Sequence, residues 1–207
     1  ELLNSFNSGF LVTPNVDHLM LLQENRKFLE IYRQADYVTV DSQIVNWATR
    51  FLGHPVKEKV SGSDFLPAYC DFHKNNPEIR IFLLGGMPGV AQQAARNINA
   101  KAGREIVTGA HSPSMRFVTD QAECSEAIEL INNSGANVLV VGLGAPKQEL
   151  WIAEHRDRMP GIHSFMALGA TLDFEAGTVS RAPRCMSCCG LEWLYRLYQE
   201  PGRLWKR

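Results

Sequence analysis

The sequence predicts an α/β fold, namely a Rossmann-like, doubly wound, mostly parallel sheet with a basic, amphipathic helical appendage at its C-terminal end. Three observations predict it. Short apolar runs of strand length alternate with segments of helical periodicity, glycine-rich turns follow two of these runs, and 45% of the 207 residues are apolar. No apolar run approaches the ~18–20 residues of a membrane span. We expect one domain at residues 1–180 and the appendage at residues 181–207.

The first half of the chain predicts three helices and one strand. Asn15–Gln34 has the apolar spacing of a helix, and the β-branched run Tyr37–Val40 predicts a short strand that ends at Asp41. Two more helices are predicted at Ser42–Leu52 and Asp64–Lys74, since glycine or proline follows each of them.

From residue 80 onward strands and helices alternate regularly, which is typical of a parallel sheet with helical crossovers. The predicted strands are Arg80–Leu84, Glu105–Gly109, Asn137–Val141 and Ile162–Leu168. The predicted helices are Val90–Ala102, Asp120–Ser134, Lys147–Arg156 and, in the appendage, Gly190–Trp205.

The net charge of -1 hides an uneven distribution. Residues 181–207 contain six basic and two acidic residues, a net +4, so the rest of the chain has a net charge of -5. A basic end predicts an anionic partner, and the acidic body without any nucleic-acid motif disfavours RNA or DNA. Five cysteines, three of them within Cys185–Cys189, favour reduced thiols over a zinc site or a disulfide framework. No signal peptide is visible, and the sequence leaves open whether its N-terminus is trimmed.

Two glycine turns lie where ligands bind in open parallel sheets, at the carboxyl ends of strands. Gly85 and Gly86 follow one predicted strand, and Gly142 and Gly144 follow another. Such turns can bring backbone N–H groups to a phosphate, or they can serve only as tight strand-to-helix turns. Neither turn is a complete Gly-x-Gly-x-x-Gly and the chain has no P-loop, which disfavours hydride transfer and P-loop phosphoryl transfer.

The helix after the second turn begins with three polar residues. Lys147 can meet a phosphate and Gln148 can hydrogen-bond a sugar or a base. Alternatively, Glu149 complements the helix dipole and Lys147 is merely solvated.

Polar residues at three further places are candidates for binding or catalysis. Asp41 is a candidate general base at a strand end, or else the N-cap of the next helix. Thr13 and Asn15 either cap the first helix or present polar groups to a ligand. Asp173 and Glu175 are interpreted as a carboxylate pair on a loop, so no metal site is inferred.

Taken in order, these segments and several others resemble one protein family. The matching motifs are Thr13-Pro14-Asn15, residues 35–41, 60–64, 142–149 and 169–174, Arg181-Ala182-Pro183, and residues 190–197 and 200–204. Together they resemble the WecG/TagA/CpsF glycosyltransferase family from about residue 10 to the end.

The resemblance implies an inverting enzyme that needs neither a cofactor nor a metal. It would transfer a hexose, an N-acetylhexosamine (such as N-acetylmannosamine) or its uronic acid from a UDP-sugar to a polyprenyl-diphosphate-linked saccharide of a bacterial surface polymer. Asp41 matches the family's proposed catalytic base, and Thr13, Asn15 and Gln148 match its pocket residues. The chain departs from the family at Ser42, where glycine is usual, and at Lys59, where arginine is usual.

Basic residues are our candidates for stabilising the departing diphosphate, because charge develops there without a metal. They are Lys59, Arg181, Arg184, Arg196 and Arg203. Gly85, Gly86, Gly142, Gly144 and Lys147 would line the nucleotide cleft.

The appendage offers leucine, tryptophan and tyrosine among its basic residues, which favours contact with an anionic membrane. The alternative is an amphipathic helix packed on the body. We therefore expect a cytoplasmic protein, peripheral on the inner face of the bacterial membrane. A non-catalytic nucleotide-sugar-binding module is the main rival. The sequence leaves the donor sugar and the oligomeric state open, and a homo-oligomer is compatible with it.

Overall fold

The computed structural model describes residues 2–6, 8–183, 186, 194, 195 and 198. Most of the predicted helix Gly190–Trp205 lies outside the described residues, together with Arg184, Arg196, Arg203 and the cysteines at 185, 188 and 189. The domain boundary at residue 180 and the helical appendage therefore stay predictions.

The described part of the chain contains one six-stranded sheet. Its strands are β1 (Gly9–Val12), β2 (Tyr37–Val38), β3 (Ile81–Gly85), β4 (Val107–His111), β5 (Val138–Gly142) and β6 (Ser164–Ala167). They lie in the order β2–β1–β6–β5–β3–β4, and every pairing is parallel. The predicted Rossmann-like α/β architecture is thereby confirmed.

Helices cover both faces of the sheet. They are α1 (Leu2–Ser5), α2 (Val16–Glu24), α3 (Arg26–Arg33), α4 (Gln43–Phe51), α5 (Gly62–Phe72), α6 (Val90–Ala102), α7 (Gln121–Asn133), α8 (Lys147–His155) and α9 (Thr171–Ala176). Buried residues of α3, α7 and α8 form one apolar cluster with the sheet, and those of α5, α6 and α9 form the other. Two 3-10 turns, Phe117–Thr119 and Arg156–Arg158, complete the described elements.

Strand β5 shows why a continuous apolar run folds as a central strand. Val138 and Val140 pack in one cluster, whereas Leu139 and Val141 pack in the other. Successive side chains of a strand point to opposite faces, so a strand covered on both sides needs apolar residues at every position.

The predicted helix at residues 15–34 is two helices. Asn25 interrupts it in an extended conformation (φ -114°, ψ 100°), and its side chain accepts a hydrogen bond from the backbone N–H of Phe28, which caps α3. The apolar spacing continues through the break because both helices face the same apolar cluster. Strand β1 was not predicted, since four residues are too short for a clear pattern.

Two other predictions, a strand and a loop, need correction. Strand β4 lies about two residues later than predicted, because it is an edge strand whose residues after Val107 are only half-buried. The predicted loop containing Asp173 and Glu175 is helix α9. Glu175 is buried there, and its carboxylate lies 2.8 Å from Nζ of Lys101. Within the described residues, no helix is long and apolar enough to span a bilayer.

Candidate active site at the carboxyl ends of the strands

Three of the predicted site residues lie on neighbouring loops at one edge of the sheet. Thr13 and Asn15 follow β1, and Asp41 follows β2. The Asp41 N–H donates to the Pro14 carbonyl at 2.9 Å, which ties the two loops together. The Thr13 hydroxyl donates to the Ala167 carbonyl at 3.3 Å, so the first loop is also tied to β6. These contacts place Thr13, Asn15 and Asp41 in one region.

Asp41 is not the N-cap of α4. Ser42 takes that position, and its hydroxyl accepts a hydrogen bond from the Val45 N–H at 3.4 Å. The capping alternative for Asp41 is therefore wrong, and its half-buried carboxylate stands just before the helix. The same geometry accounts for Ser42, because a glycine there would supply no side-chain cap.

Asn15 caps α2 and begins a buried polar network. Its Oδ1 accepts from the His18 backbone N–H at 3.2 Å and lies 2.7 Å from His18 Nδ1. His18 Nε2 lies 3.4 Å from Oε1 of Glu149, a residue that is completely buried. The Asn15 backbone N–H donates to the same Nδ1 at 3.3 Å, which completes a capping box at the start of α2. The network thus joins the first turns of α2 and α8.

Three buried polar atoms in or beside this network make no hydrogen bond to any described residue. They are Nε2 of His18, Oε2 of Glu149 and the hydroxyl of Tyr32. Burial raises the pKa of Tyr32 far above its usual value, and the Glu149 carboxylate raises it further. The Tyr32 hydroxyl is therefore protonated and can act as a donor at neutral pH.

Gln148 connects the turns after β5 and β6. Its Oε1 accepts from the backbone N–H groups of Gly144 at 3.2 Å and Gly169 at 3.0 Å, and its Nε2 donates to Glu149 Oε1 at 2.9 Å. The side chain is buried, with 2% of the residue exposed. One amide thus fixes two loops of the candidate site and extends the network to them.

The glycines at the strand ends permit a close approach of backbone to backbone. A Cβ on Gly85 would lie 2.5 Å from the Gly142 carbonyl, and a Cβ on Gly142 would lie 2.7 Å from the Gly169 oxygen. The Gly86 N–H donates to the Gly142 carbonyl at 3.2 Å. Close packing therefore accounts for the glycines at 85, 86 and 142, and a positive φ for those at 85 and 86, whereas their contact with a nucleotide stays a prediction.

A charged cluster lies at the N-terminus of α5. Ser61 caps the helix, and its hydroxyl also donates to Asp64 at 2.6 Å. Arg181 reaches the same carboxylate at 2.7 Å and donates to the Ser63 carbonyl. Burial alone would raise the pKa of Asp64, but the hydrogen bonds from Ser61 and Arg181 and the charges of Arg181 and Lys59 lower it below its usual value.

This cluster adjoins the other loops of the site. The Val60 N–H donates to the Val40 carbonyl at 3.0 Å, next to Asp41, and a Cβ on Gly62 would lie 2.9 Å from the Thr171 hydroxyl. Arg181 is thus held close to the predicted residues. Lys147 is exposed at the start of α8, as the solvated alternative predicts.

Two cavities of about 360 and 260 Å³ lie elsewhere. The larger is lined by residues at or just before the amino ends of β1 and β6, such as Gly9 and Ile162. The smaller lies between α5, α6 and α9. None of the predicted site residues lines either cavity.

Sequence patterns did not reveal His18, Glu149 and Tyr32 as parts of this region. The one available signal was the three-residue spacing of Asn15 and His18, which is the spacing of a capping box, and the structure shows that capping box. The burial of Glu149 had no sequence signal, since an acidic residue in a first helical turn is usually exposed.

Comparison with protein-family models shows a match that covers the whole chain. The model of the glycosyl transferase WecG/TagA/CpsF family matches residues 1–207, the full length of the chain.

Proposed function

The chain belongs to the WecG/TagA/CpsF family of glycosyltransferases, and on that premise we propose an inverting transfer from a UDP-sugar to a polyprenyl-diphosphate-linked saccharide. The donated sugar would be a hexose, an N-acetylhexosamine such as N-acetylmannosamine, or its uronic acid. The observation that supports the proposal most is the gathering of Thr13, Asn15, Asp41 and the α5 N-terminus at the carboxyl edge of the sheet. This edge is where open α/β sheets bind their ligands.

Asp41 is the general base of this proposal. Inversion needs a single displacement, in which the acceptor hydroxyl oxygen bonds to the anomeric carbon as the bond from that carbon to UDP breaks. Asp41 takes the proton of the attacking hydroxyl. The position of Asp41 supports this role, because its backbone N–H donates to the Pro14 carbonyl and so holds its loop beside Thr13 and Asn15.

Cations and helix ends would stabilise the departing UDP, since the oxygen that leaves the anomeric carbon adds negative charge to an already anionic diphosphate. Lys59 and Arg181 lie beside the N-terminus of α5, and Lys147 lies at the start of α8. Arg184, Arg196 and Arg203 remain part of the proposal, although they are outside the described residues. The reaction would require no metal and no cofactor.

The lipid anchor of the acceptor requires the protein to work at a membrane. We place it on the cytoplasmic face, bound peripherally through anionic lipid. Nucleic acid is not a partner in this proposal.

The Asp41→Asn variant tests the base assignment. We expect UDP release with a lipid-linked acceptor analogue to fall by roughly 100-fold or more, because a positioned base contributes at least that much. UDP-sugar binding should persist. Asp71→Asn is the matched control, since Asp71 is an exposed aspartate in the last turns of α5 and pairs only with nearby Lys74 among the described residues. Wild-type turnover by Asp41→Asn would exclude Asp41 as the base.

A screen of UDP-sugars with the wild-type protein identifies the donor. If the protein binds UDP-sugars but releases no UDP from any of them with the acceptor present, it is a non-catalytic nucleotide-sugar-binding module instead.

A further inference from the structure

Helix α4 exposes apolar side chains along one face. Ile44, Trp47 and Phe51 follow the i, i+3, i+7 spacing of a helical stripe and are 43%, 48% and 92% exposed. Leu52, directly after the helix, is 70% exposed. We call these four residues the α4 stripe. A surface helix normally places polar residues on its outer face, and a contiguous exposed apolar surface marks an interaction site.

The charges around the α4 stripe indicate the kind of partner. Residues 50–60 contain three basic residues and one acidic residue, and Arg50 and Lys57 are exposed. Aromatic side chains flanked by cations are typical of segments that lie in the interface of an anionic bilayer. Residues 50–60 therefore have a net positive charge, whereas residues 1–180 as a whole have a net charge of -5.

The α4 stripe also adjoins the proposed catalytic base. Helix α4 begins at Gln43, two residues after Asp41, and its nine residues span about 13 Å. An acceptor anchored in the bilayer would therefore present its diphosphate within about one helix length of Asp41. The position of the acceptor near Asp41 rests on the proposed function, whereas the contact of the α4 stripe with a membrane does not.

We propose that the α4 stripe is a membrane-docking surface that inserts Trp47 and Phe51 into the interface of an anionic bilayer. It is separate from the contact predicted for the appendage, because the α4 stripe lies in the body of the fold. Its occupant is the lipid surface rather than a second protein.

Vesicle co-sedimentation of the full chain tests this directly. We expect binding to phosphatidylglycerol-containing vesicles, and a reduction of about tenfold or more in the Trp47→Ser/Phe51→Ser variant, because both side chains would lose their apolar burial. Phe72→Ser/Met115→Ser is the control, since both residues are large, apolar and exposed outside the α4 stripe. Equal binding by the wild type and the Trp47→Ser/Phe51→Ser variant overturns the proposal.

Single variants keep the test valid if the double variant does not fold. Phe51 is almost fully exposed, so Phe51→Ser should fold and still weaken vesicle binding. Trp47→Phe should bind vesicles normally but show a smaller vesicle-induced blue shift of tryptophan emission than the wild type, because only the contribution of Trp47 is removed and the appendage keeps Trp193 and Trp205. An unchanged blue shift in Trp47→Phe would show that Trp47 is outside the bilayer, which also overturns the proposal.

Two further measurements distinguish the alternatives. If the double variant turns a wild-type dimer into a monomer while both bind vesicles equally, the α4 stripe joins two copies of the chain and the proposal is wrong. With a short-chain soluble acceptor and no vesicles, the double variant should release UDP at the wild-type rate. Absence of UDP release by the wild type would refute the proposed function, but the vesicle result would still decide the docking surface.

Discussion

Replacing Gln148 by methionine removes the amide that connects two loops of the site. Methionine is unbranched like glutamine and fills a similar volume, so the change isolates the polar contacts. It abolishes the hydrogen bonds to the Gly144 and Gly169 N–H groups and the one to the Glu149 carboxylate. Glu149 is completely buried, so water cannot easily replace the lost donor.

The expected magnitude follows from these three contacts. Each intramolecular hydrogen bond contributes about 1 kcal/mol, and a buried charged group left without its partner costs more. We therefore expect Gln148→Met to lower the free energy of unfolding by roughly 3–5 kcal/mol. For a domain of this size, that corresponds to a fall in Tm of about 10 °C.

Urea and thermal denaturation followed by circular dichroism measure both quantities. Lys147→Met is the matched control, because the neighbouring side chain on the same helix is exposed and should change the free energy of unfolding by no more than about 0.5 kcal/mol. If the two variants are equally stable, Gln148 does not hold the loops together and its three hydrogen bonds do not stabilise the fold.

Three other outcomes can be measured independently. Gly142→Ala should destabilise the fold by several kcal/mol, because the new Cβ meets a carbonyl oxygen at 2.7 Å, whereas Gly161→Ala, with 3.8 Å to its nearest neighbour, should be nearly neutral in urea denaturation. The pKa of Asp64 is lowered in the folded state, so its contribution to stability is present above the usual pKa of 3.8 and is lost as the pH falls through the folded-state pKa. Arg181→Ala should raise the pKa of Asp64, measured by carboxyl NMR, and should reduce the loss of stability on acidification. Burial raises the pKa of the Cys70 thiol to about 12, so peptide mapping should find it unmodified by iodoacetamide at neutral pH until the protein unfolds; rapid native labelling would contradict this burial.

The sequence predicted the architecture well because its signals are periodic. Helix α6 begins and ends where the spacing predicts, and β5 was recognised because a central parallel strand must be apolar on both faces. The strands β1 and β4 were missed or displaced, since a four-residue strand and a half-buried edge strand give weak patterns.

The site was predicted less completely for a different physical reason. Family-like motifs identified Thr13, Asn15, Asp41 and Gln148, and hydrogen bonds place the first three together. Motifs do not show which polar groups are buried, and burial arises from tertiary packing. The inward orientation of Glu149 therefore became evident only in the structure.

The strand order has a consequence for how the chain matures during synthesis. Strand β1 pairs with β6, and the Thr13 hydroxyl contacts Ala167 across a separation of 154 residues. Until β6 has been made, β1 and β2 have only each other, and a two-stranded sheet is marginal by itself. Such distant pairing is slow and comes late. A ribosome-bound fragment that ends before β6 therefore lacks both the strand beside β1 and the Ala167 carbonyl that holds the Thr13 loop.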